Sequence, residues 1–142
     1  GGLYYMKEFG CPKNAIITPH PGEAAMLLDC SVKELQKDRL EAAKELNRRY
    51  NCLTILKGYQ TIVFDGEAYQ CNDGGPALST AGTGDVLAGL IGSFLAQGLS
   101  KIDAAKFSVA IHGAAGDKFS RNKRVRGLTA TKLIKIINEE ML

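Results

Sequence analysis

Apolar and polar positions fall into blocks along the chain, and the repeat within the blocks changes from one to the next. Ala15-Ile16-Ile17-Thr18 is a short apolar run stopped by Pro19-His20-Pro21-Gly22, the pattern of a buried strand entering a rigid turn. Residues 23–29 follow as one or two helical turns. Ser31-Val32-Lys33-Glu34 has the form of a capping box, and Val32, Leu35, Leu40, Ala43, Leu46 and Tyr50 then recur at helical spacing. Residues 52–56 and 61–64 predict two further buried strands, and Asp65-Gly66 predicts a hairpin into residues 67–71. Residues 72–84 are rich in Gly, Pro, Ser and Thr and cannot be regular throughout.

Three helices are predicted after that loop. Residues 85–97 are small and apolar around most of the helix circumference, so this helix needs neighbours on several sides. Residues 103–120 repeat apolar and small side chains, and residues 129–142 place Leu133, Ile136 and Ile137 on one stripe. Strands alternating with helices, followed by a helical end, predict an α/β fold with a largely parallel sheet flanked by helices.

Composition narrows the function classes without choosing one. The 142 residues suit one domain, and 45% hydrophobic with 23% charged residues excludes a disordered tail, a collagen-like repeat or a low-complexity linker. A net charge of +3, with the signs interspersed, predicts no nucleic-acid partner, and the basic cluster at residues 121–126 reads as a solvated loop. Cys11, Cys30, Cys52 and Cys71 stand singly, which excludes zinc-type spacing and predicts reduced core thiols. The longest apolar stretch, residues 86–99, is too short to span a bilayer, and no secretory signal opens the chain. A soluble, cytoplasmic protein without a membrane partner is the expectation. Gly1-Gly2 is no natural translation start and points to processing, truncation or a tag remnant.

The chemistry concentrates in Ala81-Gly82-Thr83-Gly84-Asp85, which runs directly into a helix. Glycines let backbone approach a ligand, and the first amides of a helix together with its dipole make an anion site. Asp85 at the rim would accept the proton of a hydroxyl attacking a γ-phosphoryl group, with the amides of Gly82, Thr83 and Gly84 as an anion hole. The string is neither a Walker A loop nor a full dinucleotide fingerprint, and on its own it reads equally well as a helix cap in a tight turn. Two strand-end loops add to it. Lys57-Gly58 puts an ammonium and a flexible backbone where open α/β sheets bind ligands, although such a pair is usually only a turn. His20 is held between two prolines, which serves a ligand contact or a structural role alike.

Read together, T-P-H-P-G-E, then L-K-G, then N-x-G-G-x-x-x-L-x-x-A-G-T-G-D-V-L-A-G, then His112-Gly113-x-Ala115-Gly116-Asp117 resemble the NAD(P)H-hydrate dehydratases. The likeness runs from Thr18 to the C-terminus. It implies a ribokinase-like fold and cofactor repair: ADP, or ATP in eukaryotes, with Mg²⁺, drives dehydration of the S epimer of NADHX or NADPHX through phosphorylation and elimination. It further implies that His20 and Asp85 contact the NAD(P)H-hydrate, with Asp85 as the catalytic base. Lys57, Gly58, Tyr59, Gln60, Thr61 and Gly84 would bind the nucleotide, and Asn72 would support the loop. No metal ligand is identifiable. His112 and Asp117 match the motif but sit on a small, apolar helix, where packing is the favoured role.

The resemblance also implies that residues 1–142 are the C-terminal part of one longer dehydratase domain. A homo-oligomer, or association with the missing half, would then cover its exposed edge, and a fused or separate epimerase would be a partner. Two competing readings remain open at this level. One is a ribokinase-like kinase of the hydroxyethylthiazole or hydroxymethylpyrimidine type, against which T-P-H-P-G-E argues. The other is a non-catalytic nucleotide-binding fragment.

Overall fold

The computed structural model describes residues 2–121 and 127–142, and the chain divides into two units, Gly1–Gln70 and Cys71–Leu142. Most of the predicted basic cluster, residues 122–126, lies outside the described residues.

In the first unit, helix α1 (Gly2–Phe9) precedes strand β1 (Ile16–Ile17), helices α2 (Pro21–Leu28), α3 (Val32–Lys37) and α4 (Arg39–Tyr50), and strands β2 (Leu53–Leu56), β3 (Ile62–Phe64) and β4 (Ala68–Gln70). The sheet order is β1-β2-β3-β4. β1 pairs with β2 in parallel, Ile16 opposite Leu53, while β2–β3 and β3–β4 are antiparallel. The α/β expectation holds, and the sheet is mixed rather than largely parallel within this chain. The reason is local: Gly66, at φ 84°, closes a tight connection that returns the chain as a hairpin, and no helix crosses between β3 and β4. β2 is buried along its whole length, and its Leu56 joins the fully buried Leu27 and Leu46 in one core cluster.

The single stripe from Val32 to Tyr50 is two helices. Ser31 and Glu34 form the predicted capping box, but at Asp38 the backbone leaves the helix (φ −147°, ψ 84°) and its carboxylate accepts the amide of Glu41 at 3.0 Å. An aspartate caps a new helix more readily than it continues an old one. Helix α1 was not anticipated. It buries only Met6 and is tied by Lys7, which donates to the Met26 carbonyl at 2.8 Å and pairs with Asp29.

In the second unit a 3₁₀ turn (Pro76–Leu78) leads to helices α5 (Thr83–Ala96), α6 (Lys101–Arg121) and α7 (Ala130–Glu140). Ala77, Ala115, Phe119, Leu128, Leu133 and Ile137 form its core. Helix α5 is not buried all round: only Thr83, Leu87 and Ile91 are, and Gly89 and Gly92 face open space. Among the described residues no helix is long and apolar enough to cross a membrane.

Candidate functional site

Parallel pairing of β1 and β2 brings the ends of both strands to the same edge of the sheet, and the two loops there are joined. The Lys57 amide donates to the Pro19 carbonyl at 2.9 Å. His20 is the N-cap of α2: its Nδ1 accepts the amides of Gly22 (3.1 Å) and Glu23 (3.2 Å), and the Glu23 carboxylate accepts the His20 amide at 2.9 Å. Two donors on Nδ1 place the ring proton on Nε2. The side chain is 57% exposed and Nε2 lies 3.6 Å from Glu23 Oε2, so its N–H is held beside that carboxylate at a solvent-accessible position.

The second loop turns sharply. Gly58 lies at φ 139° and Gln60 at φ 58°, Thr61 Oγ1 donates to the Gly58 carbonyl at 3.2 Å, and Tyr59 is 73% exposed. Beneath it sits a side chain that sequence reading missed. Arg39, at the start of α4, donates through Nη2 to the carbonyls of Leu56 (3.3 Å) and Lys57 (3.2 Å), and its Nη1 would lie 2.9 Å from a Cβ at position 58. Partial burial lowers the pKa of this guanidinium below its ordinary value. Nothing in the sequence marks Arg39, because its partners are 17 and 18 residues away.

The glycine-rich loop belongs to the second unit. Gly82, at φ 87°, is the N-cap of α5 and makes no side-chain cap, so Asp85 falls at the third helical position with an exposed carboxylate. Thr83 faces inward. It is buried, its Oγ1 lies 2.6 Å from the Leu78 carbonyl and 2.8 Å from that of Thr80, and its amide donates to Thr80 at 3.3 Å. Asn72 is exposed on the segment that leads in.

The H-G-x-A-G-D segment lies on α6 and faces this loop. Asp117 Oδ1 accepts the amides of Gly74 (3.0 Å) and Gly75 (3.3 Å), and His112 Nε2 donates to the Thr83 carbonyl at 2.8 Å. A Cβ on Gly113 would stand 3.0 Å from the Asp73 carbonyl oxygen, and one on Gly116 would stand 2.6 Å from Leu78 Cγ. The packing expected of His112 and Asp117 is therefore packing against the loop itself.

The four cysteines are free, Cys52 and Cys71 buried and Cys11 and Cys30 half-buried. Burial, reinforced by the neighbouring Cys11 thiol, pushes Cys52 up to about 12, and burial also raises Cys71. Both are inert core thiols. Among the described residues no three His, Cys, Asp or Glu side chains converge as a metal site.

A family-wide sequence profile described as NAD(P)H-hydrate dehydratase matches residues 1–139. The bifunctional NAD(P)H-hydrate repair enzyme Nnr of Escherichia coli is 46% identical over 134 residues, covering 90% of this chain and 26% of that protein. Among solved structures, the ADP/ATP-dependent NAD(P)H-hydrate dehydratase of Bacillus subtilis, co-crystallised with ATP and Mg²⁺, is 34% identical with a TM-score of 0.85, over 91% of this chain and 50% of that one. A ribokinase-like superfamily protein of Enterococcus faecalis is 26% identical with a TM-score of 0.82, over 98% and 49%. The chain thus spans about a quarter of the E. coli protein and about half of each solved structure. Because the profile matches this chain almost from end to end, the chain belongs to the NAD(P)H-hydrate dehydratase family.

Proposed function

We propose that this chain is the C-terminal part of a nucleotide-dependent dehydratase domain that restores NAD(P)H from its S-hydrate. The observation that carries the reading is Asp85, an exposed carboxylate in the first turn of a glycine-capped helix, in a chain of this family. Asp85 takes the proton of the ring hydroxyl. The nucleotide supplies the phosphoryl group that turns this hydroxyl into a leaving group. The Thr83 amide is engaged with Thr80, so the anion-hole role falls on the amides of Gly82 and Gly84.

In this reading Lys57, Gly58, Tyr59, Gln60 and Thr61 hold the nucleotide, Gly84 touches it, and His20 donates its Nε2 proton to the hydrated cofactor. Asn72 supports the loop. ADP or ATP fits the Bacillus subtilis relative, an ADP/ATP-dependent dehydratase. Mg²⁺ would arrive with the nucleotide's phosphates, and the Bacillus subtilis relative was co-crystallised with ATP and Mg²⁺. An epimerase partner and self-association belong to the same reading.

The test is recovery of reduced-nicotinamide absorbance from the S-hydrate with Mg²⁺ and either ADP or ATP. It is run on this chain and on the full product of its reading frame. Turnover by the full product, lost by about 10²-fold or more in Asp85→Asn with nucleotide binding retained, is the expected result. No turnover with either nucleotide overturns the dehydratase reading.

A further inference from the structure

We propose that His112 and Asp117 are positioning residues, and that helix α6 clamps both ends of the glycine-rich loop and thereby sets where Asp85 stands. The proposal rests on the reading of Asp85 as the base. At the loop's beginning, one carboxylate oxygen of Asp117 accepts two consecutive backbone amides, those of Gly74 and Gly75. Bonds to an ionised acceptor are stronger than neutral ones and fix direction as well as distance. At the loop's end, the buried His112 ring donates to the Thr83 carbonyl, two residues before Asp85. A shift of that carbonyl moves the first turn of α5 and the carboxylate on it.

Between the two clamps the helix surface is flat. His112, Gly113, Gly116 and Asp117 stand at i, i+1, i+4 and i+5, two i,i+4 pairs side by side, and all four meet the loop. Glycine at the two middle positions lets the backbone of Asp73 and the side chain of Leu78 come within distances that a Cβ would forbid. Gly74, at φ 91°, adds a matching constraint from the loop side, where a Cβ would stand 2.6 Å from Leu78 Cδ1 and 3.1 Å from the Gly113 Cα. Two polar anchors with a glycine seat between them hold a loop that has little regular structure of its own. Catalytic geometry needs such a hold, since a displacement of about 1 Å costs on the order of 100-fold in rate.

The experiment uses the full product of the reading frame and begins with the wild type. Failure of the wild type to turn over the hydrate overturns the functional reading, and the clamp is then judged on amide exchange alone. The variants are D117A, D117N, H112A and H112Q. The measurements are kcat, substrate KM, ADP affinity at equilibrium, and hydrogen–deuterium exchange over residues 72–85.

In D117A and H112A, kcat is expected to fall by roughly 10- to 100-fold and ADP affinity by clearly less, since Gly84 is the one residue of this loop placed at the nucleotide while Lys57 to Thr61 stand outside it. Exchange rises in residues 72–85 and is unchanged in α6. H112Q, whose amide nitrogen can reach the same carbonyl, recovers most of what H112A loses. D117N keeps an acceptor oxygen without the charge, so it falls between wild type and D117A even if D117A folds poorly. The proposal is overturned if kcat stays within about twofold in both alanine variants, or falls only in proportion to the fraction unfolded. Unchanged exchange in residues 72–85 overturns it as well.

Discussion

The Nδ1 atom of His20 is occupied by two amides of α2, which leaves Nε2–H as the only part of the ring with a proton to offer outward. Capping and ligand contact therefore use different atoms, and substitutions separate them. His20→Ala removes the cap and is expected to cost about 0.5–2 kcal/mol in urea unfolding. His20→Asn restores a capping acceptor but places no N–H where Nε2 was, so stability returns while the KM for the hydrated cofactor stays raised. Equal destabilisation by Ala and Asn would contradict the capping role. Part of this was legible in the sequence: two prolines marked His20 as rigidly held, and Glu23 three residues on is half of a capping box. The imidazole as the cap was not legible, because it lies outside the usual Ser, Thr, Asp and Asn set. Arg39 was invisible for a different reason, since helical spacing says nothing about a guanidinium reaching under a distant strand end.

At the scale of elements, glycine carries opposite meanings in α5 and α6. Gly92 faces open space, so Gly92→Ala removes only backbone freedom and is expected to stabilise by about 0.5–1 kcal/mol. Gly116 meets Leu78, so the same substitution overpacks the loop against α6 and is expected to destabilise by about 1–3 kcal/mol. Urea midpoints of the two variants, moving in opposite directions from the wild type, check the argument. A shared sign would mean that the close approach of α6 to the loop is not what Gly116 is for. The sequence marked both helices, since their patterns are long, but it could not tell an idle glycine from one in a seat, because the distinction lies in Leu78 and Asp73, far along the chain. It likewise read one helix where Asp38 divides two, since the apolar spacing survives the break even though Val32 and Leu40 end up exposed. The antiparallel hairpin was marked by Asp65-Gly66, whereas the parallel partner of β2 was a matter of topology that no local pattern encodes.

For the whole chain, titration of a few groups sets how stability changes with pH. At the acid end, a hydrogen bond from Lys7 holds Asp29 below the usual carboxylate range, and one from Arg48 does the same for Glu45. Depressed carboxylates contribute stability above their unfolded pKa and lose it as pH falls through their folded values. Asp29 is exposed and Glu45 is half-buried with a solvent-facing partner in Arg48, so the acid limb is shallow and flattens in high salt. The alkaline limb is steeper and has a buried cause. Burial raises Cys52 from 9.0 to about 12, so the folded state holds its proton after the unfolded chain has released it. Its contribution is intact below pH 9 and is lost as pH rises from there to 12. One proton of difference corresponds to up to about 1.4 kcal/mol per pH unit in that window. The quantity to measure is the stability difference between the wild type and Cys52→Ala at several pH values, which isolates the thiol. Alanine fills the site less well and lowers stability below pH 9, but it has no proton to lose, so the gap between the two proteins should narrow as pH climbs. A gap that stays constant from pH 8 to 11 would mean that the Cys52 thiol reaches solvent in the folded chain and that the core around β2 opens more readily than its burial implies.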